Sequence, residues 1–215
     1  MQENVMTVEY SLSRTMYLAI KRTFDIVVSL ISLILLSPIL LVVAIAIKLE
    51  DGGSAIIVQD RIGLNGKLFK FYKFRSMIKD ADKVLFEMLE KDEKLASEYK
   101  INKKLVNDPR ITKIGKFIRK TSLDELPQLI NILKGDMSFV GNRPYLPREM
   151  DDMQPYYENI VKSKPGLTGL WQVSGRSNLT FKNRCKIEAK YSETMCLSLD
   201  IKIFFKTFAV ILKGL

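Results

Sequence analysis

The sequence predicts a mainly helical α+β fold with one helix apolar enough to enter a membrane. Three observations carry that reading. Residues 26–47 contain no charge, residues 54–77 form two short extended pieces around a glycine-containing turn, and the remainder is dominated by apolar positions at helical spacing. At 215 residues the chain is long enough for one domain with a sizeable core. It divides into a lead (1–20), an apolar helix (21–48) and a globular part (49–215).

The lead mixes polar and apolar residues and fits either a frayed start or a short interfacial helix. The next stretch, IVVSLISLILLSPILLVVAIAI, is long enough to cross a hydrocarbon core as a straight helix. Lys21 and Arg22 precede it and Lys48 follows it. Ala44-x-Ala46 has the form of a signal cleavage site, but the apolar run is longer than an ordinary signal h-region. Ser37-Pro38 sits near its middle, where proline lacks the amide a helix needs and serine can satisfy a freed backbone group. A kinked spanning helix and a re-entrant one both fit this pattern.

SAIIVQ and LFKFYKFRSM read as the strands of a β-hairpin, with Gly63 to Lys67 as the turn. Residues 78–106 read as a charged helical region with Val84, Leu85, Met88, Leu89 and Leu95 on its apolar side. After Asp108-Pro109, Ile111, Ile114, Phe117 and Ile118 oppose Lys113, Lys116, Arg119 and Lys120, a face suited to anionic headgroups. Ser122 and Glu125 have capping-box spacing, so a helix is expected to begin there, with Pro127 in its first turn and Gly135 as its stop. Residues 151–160 are expected to be helical and 170–173 extended. Gly175-Arg176-Ser177 forms a turn able to present amides and a guanidinium to a phosphate. A basic helix spans 181–191. An aromatic amphipathic helix with Lys202, Lys206 and Lys213 closes the chain and suits the membrane interface.

The chain carries 34 Lys+Arg against 24 Asp+Glu, a net charge of +10, which calls for an anionic partner. The basic residues are interleaved with apolar ones and match no nucleic-acid motif, which favours a membrane surface and phosphates over nucleic acid. With no histidine, a histidine general base, a Ser-His-Asp triad and a histidine metal site are excluded. Cys185 and Cys196 lack metal-ligand spacing. Any chemistry falls to carboxylates and hydroxyls. The densest candidate is the adjacent pair Asp124-Glu125, framed by Arg110, Arg119, Lys120 and Arg143. Taken alone, the pair also fits ordinary acidic residues at a helix start.

The motif DPRITKIGKFIRKTSLDELPQLINILKGDMSFVGNRP resembles the signature of the bacterial sugar transferases, the monotopic phosphoglycosyl transferases. KRTFD, Ser37-Pro38, KFRSM, KPGLTGLWQVSGR and YSETMCLSLDIKIFFKT extend the resemblance over residues 20–212. It implies transfer of a sugar 1-phosphate from a UDP-sugar to polyprenyl phosphate, releasing UMP, as a first membrane step in making a surface glycan. Asp124 is implied as the nucleophile that carries the phosphosugar, and Glu125 as the Mg²⁺ ligand. Arg75, Arg119, Arg143 and Arg176 are implied as phosphate or nucleotide contacts, and Asp200 as a further functional carboxylate. The Ser37-Pro38 break implies a re-entrant helix lying among inner-membrane lipids, both ends cytoplasmic, with interfacial helices around a cytoplasmic catalytic domain. Self-association is left open. Where the family carries Pro-Arg-Pro, this chain has Asn142-Arg143-Pro144. A lipid-binding scaffold and an aspartyl-phosphate hydrolase are the alternatives from other classes.

Overall fold

The computed structural model describes residues 2–175 and 179–212. Its first element, α1 (Gln2–Asp51), is a single helix that runs through both boundaries expected near residues 20 and 48. Pro38 lies inside it without ending it. Proline's missing amide would strand the carbonyl of Ile34, and the Ser37 hydroxyl donates to that oxygen at 2.8 Å. The helix therefore continues through Ser37-Pro38 with a local hydrogen-bond repair. Leu30, Ile31, Ile34, Leu35, Leu41 and Val42 face outward, and Val28, Leu33, Leu36, Leu40, Val43 and Ile47 pack on the globular body.

Both flanks of the apolar run are tied to that body. On the N-terminal side Tyr17 donates to Asp200 at 2.8 Å, Lys21 to the Val140 carbonyl at 2.8 Å, and Arg22 to the carbonyls of Ile132 and Leu133 at 2.6 and 2.8 Å. Asp25 accepts from the Phe139 amide at 2.9 Å and the Ser138 hydroxyl at 3.1 Å. On the C-terminal side Glu50 accepts from the amides of Lys113 and Ile114, and Asp51 pairs with Arg75.

The hairpin forms as expected. Strands β1 (Ile56–Ile62) and β2 (Leu68–Phe74) pair antiparallel in a register running from Ile56 opposite Phe74 to Ile62 opposite Leu68. Phe71 enters one core cluster, with Leu129, Ile132 and Phe139, and Phe74 another, with Val43, Ile47 and Ile118, so both faces of β2 are used. The charged region splits into α2 (Ala81–Lys91) and α3 (Glu93–Asn102). Asp92 turns extended between them, and its carboxylate caps α3 by accepting from the amides of Lys94 and Leu95.

Helix α4 (Lys113–Lys120) starts on Thr112, whose hydroxyl accepts from the Gly115 amide. Helix α5 (Gln128–Lys134) stops at Gly135, which takes the left-handed conformation at φ 93°. A short parallel pair follows, β3 (Ser138–Val140) with β4 (Gly166–Thr168). The extended segment expected at 170–173 is instead a series of turns. The helix expected over 151–160 is a 3-10 turn, Asp151–Met153, and a single helical turn, α6 (Tyr157–Ile160). Pro155 between them has no amide to continue a helical ladder. Helix α7 (Phe181–Thr194), capped by Thr180, and α8 (Leu197–Leu212) complete the described chain. Ile201, Phe205 and Phe208 stay exposed on α8 beside Lys202, while Ile203 is buried. Lys213 lies outside the described residues.

Candidate active site

Three elements converge on Asp124: the end of β2, helix α4, and the turn that joins α4 to α5. The helix expected to begin at Ser122 does not. Ser122 has φ 58° and makes no capping hydrogen bond with its side chain, Leu123–Glu125 is a 3-10 turn, and α5 begins only after Pro127. Capping needs an extended backbone at Ser122, and the left-handed conformation points its hydroxyl elsewhere. The tighter turn separates the two carboxylates. Asp124 is buried, with 4% of its side chain exposed, while the Glu125 side chain is 39% exposed.

The buried carboxylate has a specific counter-ion. Lys73 Nζ lies 2.7 Å from Asp124 Oδ2 and 3.8 Å from Glu125 Oε1. The sequence reading passed over Lys73 in favour of Arg75, its neighbour in KFRSM. Strand alternation puts the two on the same side of β2, so the signal was present but did not say which of them reaches the turn. Arg75 bonds Asp51 at the end of α1 instead, and the structure shows no contact between it and the carboxylate pair. That contact ties the end of α1 to the residue that follows β2.

Arg119 comes from α4, with its Nε donating to Ser76 Oγ at 2.8 Å. That contact depends on Gly115, where a Cβ would stand 2.0 Å from the Ser76 carbonyl oxygen and push α4 off the strand end. Burial lowers the Arg119 pKa, against the opposing charges of Asp124 and Asp108. Arg143 is half-buried beside Tyr145, whose ring centroid lies 6.0 Å from the guanidinium carbon. Burial works against its charge, but Glu149, Tyr145 and Glu188 outweigh it and raise its pKa. Its backbone amide donates to Glu188 at 2.7 Å. Burial holds that carboxyl up at about 7, against the lowering contributions of Tyr145 and Arg143. Asn142 uses its amide to bind the Ile160 carbonyl and the hydroxyls of Ser163 and Ser192, so this departure from Pro-Arg-Pro fastens the loop to α6 and α7.

Arg61, on β1, is a further half-buried guanidinium near this site. It stacks over Phe71 at 5.0 Å, donates to the Pro144 carbonyl at 3.0 Å, and has its pKa pushed down to about 10 by burial and by Arg143. Among the described residues, Arg61, Arg119 and Arg143 form no ion pair within 4 Å, and Arg143 Nε is buried without a hydrogen-bond partner. Guanidiniums held this way are suited to an incoming anion with several oxygens. Arg176 lies outside the described residues. Asp200 does not join Asp124. It is buried against Tyr17, Lys21 and Tyr191, and these bonds anchor α1 to α8.

Among the described residues no group of three or more His, Cys, Asp or Glu side chains could hold a metal by itself. A carboxylate pair with one exposed member still fits Mg²⁺, which takes one or two protein carboxylates and completes its shell with water and substrate phosphates.

The site thus gathers a buried aspartate paired with lysine, an exposed glutamate beside it and, among the described residues, arginines without ion pairs, on a body to which a long apolar helix is bound. The bacterial sugar transferase family model matches residues 16–214, and the chain belongs to that family. It is 50% identical over 90% of its length to an uncharacterized sugar transferase of Haemophilus influenzae. It is 47% identical over 90% of its length to the undecaprenyl-phosphate galactose phosphotransferase of Salmonella typhimurium. The chain spans only 41% and 40% of those two proteins. Against the exopolysaccharide production protein ExoY of Sinorhizobium fredii it is 42% identical, covering 89% of this chain and 84% of that one.

The arginines give a direct test. Lysine keeps the charge but not the forked geometry, so Arg119→Lys and Arg143→Lys are each expected to lower kcat/KM at least about tenfold, or about 1.4 kcal/mol of transition-state stabilisation. Near-wild-type kinetics in both variants would remove these residues from substrate binding.

Proposed function

We propose that this chain transfers a sugar 1-phosphate from a UDP-sugar to polyprenyl phosphate at the cytoplasmic face of a bacterial inner membrane. The observation that carries the proposal is the buried Asp124 carboxylate, paired with Lys73 and near Arg119, which forms no ion pair within 4 Å among the described residues. A carboxylate oxygen of Asp124 attacks the sugar-bearing phosphorus, and the bond from that phosphorus to the bridging oxygen breaks. UMP leaves with the bridging oxygen and its electron pair. An oxygen of polyprenyl phosphate then attacks the same phosphorus, the aspartyl ester bond breaks, and the Asp124 carboxylate is restored with the lipid diphosphosugar as product.

Arg119 and Arg143 bind the phosphate oxygens, and Lys73 holds Asp124 in its attacking position. Glu125 is the residue placed to hold Mg²⁺, which when bound would neutralise the charge of the donor diphosphate. The name of the Salmonella relative supports polyprenyl phosphate as acceptor, and that of ExoY supports a role in exopolysaccharide production. Incubation with labelled UDP-sugars and polyprenyl phosphate should yield a lipid-linked product and UMP. Free sugar phosphate would indicate a hydrolase, and no turnover across a panel of UDP-sugars would favour a scaffold.

Helix α1 is proposed to enter the membrane from the cytoplasm and keep both flanks on that side. A helix spanning a core of about 30 Å places its flanks on opposite sides, whereas here Lys21 and Glu50 bind the same globular body. In a Cys185→Ala, Cys196→Ser background, Tyr10→Cys and Lys182→Cys are both expected to resist an impermeant thiol reagent applied to intact cells. Labelling of Tyr10→Cys with Lys182→Cys protected would contradict this topology.

A further inference from the structure

A cavity of about 450 Å³ lies at the other end of α5 from the carboxylate pair, between the N-terminal part of α1 and the loop 162–164. Its charged lining is Arg14, Lys21, Arg22, Lys162 and Lys164 against a single carboxylate, Asp25. Four of these six are already engaged: Lys21 with Asp200, Arg22 with the last carbonyls of α5, Asp25 with Ser138 and Phe139, and Lys162 with the Asn159 side-chain oxygen at 2.9 Å. Arg14, Lys162 and Lys164 form no ion pair among the described residues. Lys164 is half-buried, and burial together with Arg22 lowers its pKa, so its charged form is held at a cost in the empty cavity. A volume of this size falls in the range of small-molecule sites.

We infer that this cavity is a second anion site, built to take a phosphate group, whether of an anionic lipid headgroup or of a soluble phosphate. Leu18, which lines the cavity, is 44% exposed and leaves one apolar side chain at its edge. The site is separate from the proposed catalytic one. None of Lys73, Arg119, Asp124 and Glu125 lines it, and α5, about 10 Å long, stands between Arg22 at its last carbonyls and the Asp124 turn before its start. An anion in the cavity would tie the N-terminal part of α1 to the loop 162–164 independently of catalysis.

Native mass spectrometry of the purified full chain, with phosphatidylglycerol or phosphatidylcholine added at equal concentration, tests this without any sugar transfer. Wild-type protein should retain one phosphatidylglycerol and little phosphatidylcholine. Arg14→Gln/Lys162→Gln/Lys164→Gln should lower the phosphatidylglycerol-bound fraction at least about tenfold, from the loss of three charges near a lipid phosphate. Lys164→Gln alone should lower it measurably, which keeps the test decidable if the triple variant folds poorly. Lys83→Gln/Lys91→Gln/Lys94→Gln removes the same charge from the exposed side of α2 and α3 and should change nothing. Displacement of the lipid by millimolar inorganic phosphate, with the same lysine dependence, would keep the anion site and assign it to soluble phosphate. Undiminished lipid retention in the triple variant, or an equal loss in the α2–α3 control, would overturn the inference.

Discussion

Asp124→Asn is expected to fold, to stay with the membrane and to lose sugar-phosphate transfer by at least about a thousandfold, roughly 4 kcal/mol of transition-state stabilisation. The substitution is nearly isosteric. Asparagine's carbonyl oxygen can still accept from Lys73, which lies 2.7 Å from the native carboxylate, so the turn keeps its packing. What disappears is an oxygen nucleophile able to carry the phosphosugar. Glu125→Gln should behave differently. Its side chain is ten times as exposed as that of Asp124, 39% against 4%, so it bears less on the fold. Its loss should raise the Mg²⁺ concentration needed for half-maximal rate as well as lower the rate. Equal kinetic defects with unchanged Mg²⁺ dependence in both variants would mean that the two carboxylates share one role.

Lys73→Met should be the second most damaging change, in both stability and activity. It preserves much of the side-chain volume but leaves the buried Asp124 without its counter-ion. Removing one partner of a buried pair costs on the order of 3–5 kcal/mol. The Lys73 side chain is 21% exposed, so the effect should fall at the lower end of that range. A melting temperature lower by roughly 6–12 °C is expected, with kcat/KM reduced at least about a hundredfold through loss of the carboxylate's position. Lys73→Arg should recover most of the stability and only part of the rate. The double variant Lys73→Met/Asp124→Asn should be more stable than Lys73→Met alone, since the unpaired buried charge is then gone. A Lys73→Met enzyme with wild-type kinetics would show that the ion pair is incidental.

Much of this architecture was legible in the sequence, and the parts that were not have specific causes. The hairpin was readable from its alternation and turn, α5's stop from Gly135, and α7 and α8 from their periodicity, because in each the local signal and the tertiary packing agree. Ser-x-x-Glu misled because a capping box requires an extended Ser122, and the short connection from α4 to α5 forces φ 58° there. At Pro38 the helix continues, and the Ser37 hydroxyl supplies the bond that proline's missing amide would leave open. Lys73, Arg61 and the anchoring role of Asp200 share another cause. Each is defined by a partner distant in sequence: Asp124 for Lys73, Pro144 for Arg61, and Tyr17 and Lys21 for Asp200. Strand alternation indicates which residues share a face, but not which of two cations on that face meets the carboxylate.

The proposal stands or falls on whether Asp124 carries the phosphosugar. Intact mass measured after incubating the wild-type chain with a UDP-sugar and Mg²⁺, without polyprenyl phosphate, should show a species heavier by one sugar phosphate. That adduct should map by proteolysis to the peptide containing Asp124, disappear on addition of polyprenyl phosphate, and be absent from Asp124→Asn. An unmodified mass in an active preparation, together with UMP release only when both substrates are present, would contradict the covalent route and leave Asp124 as a general base or metal ligand.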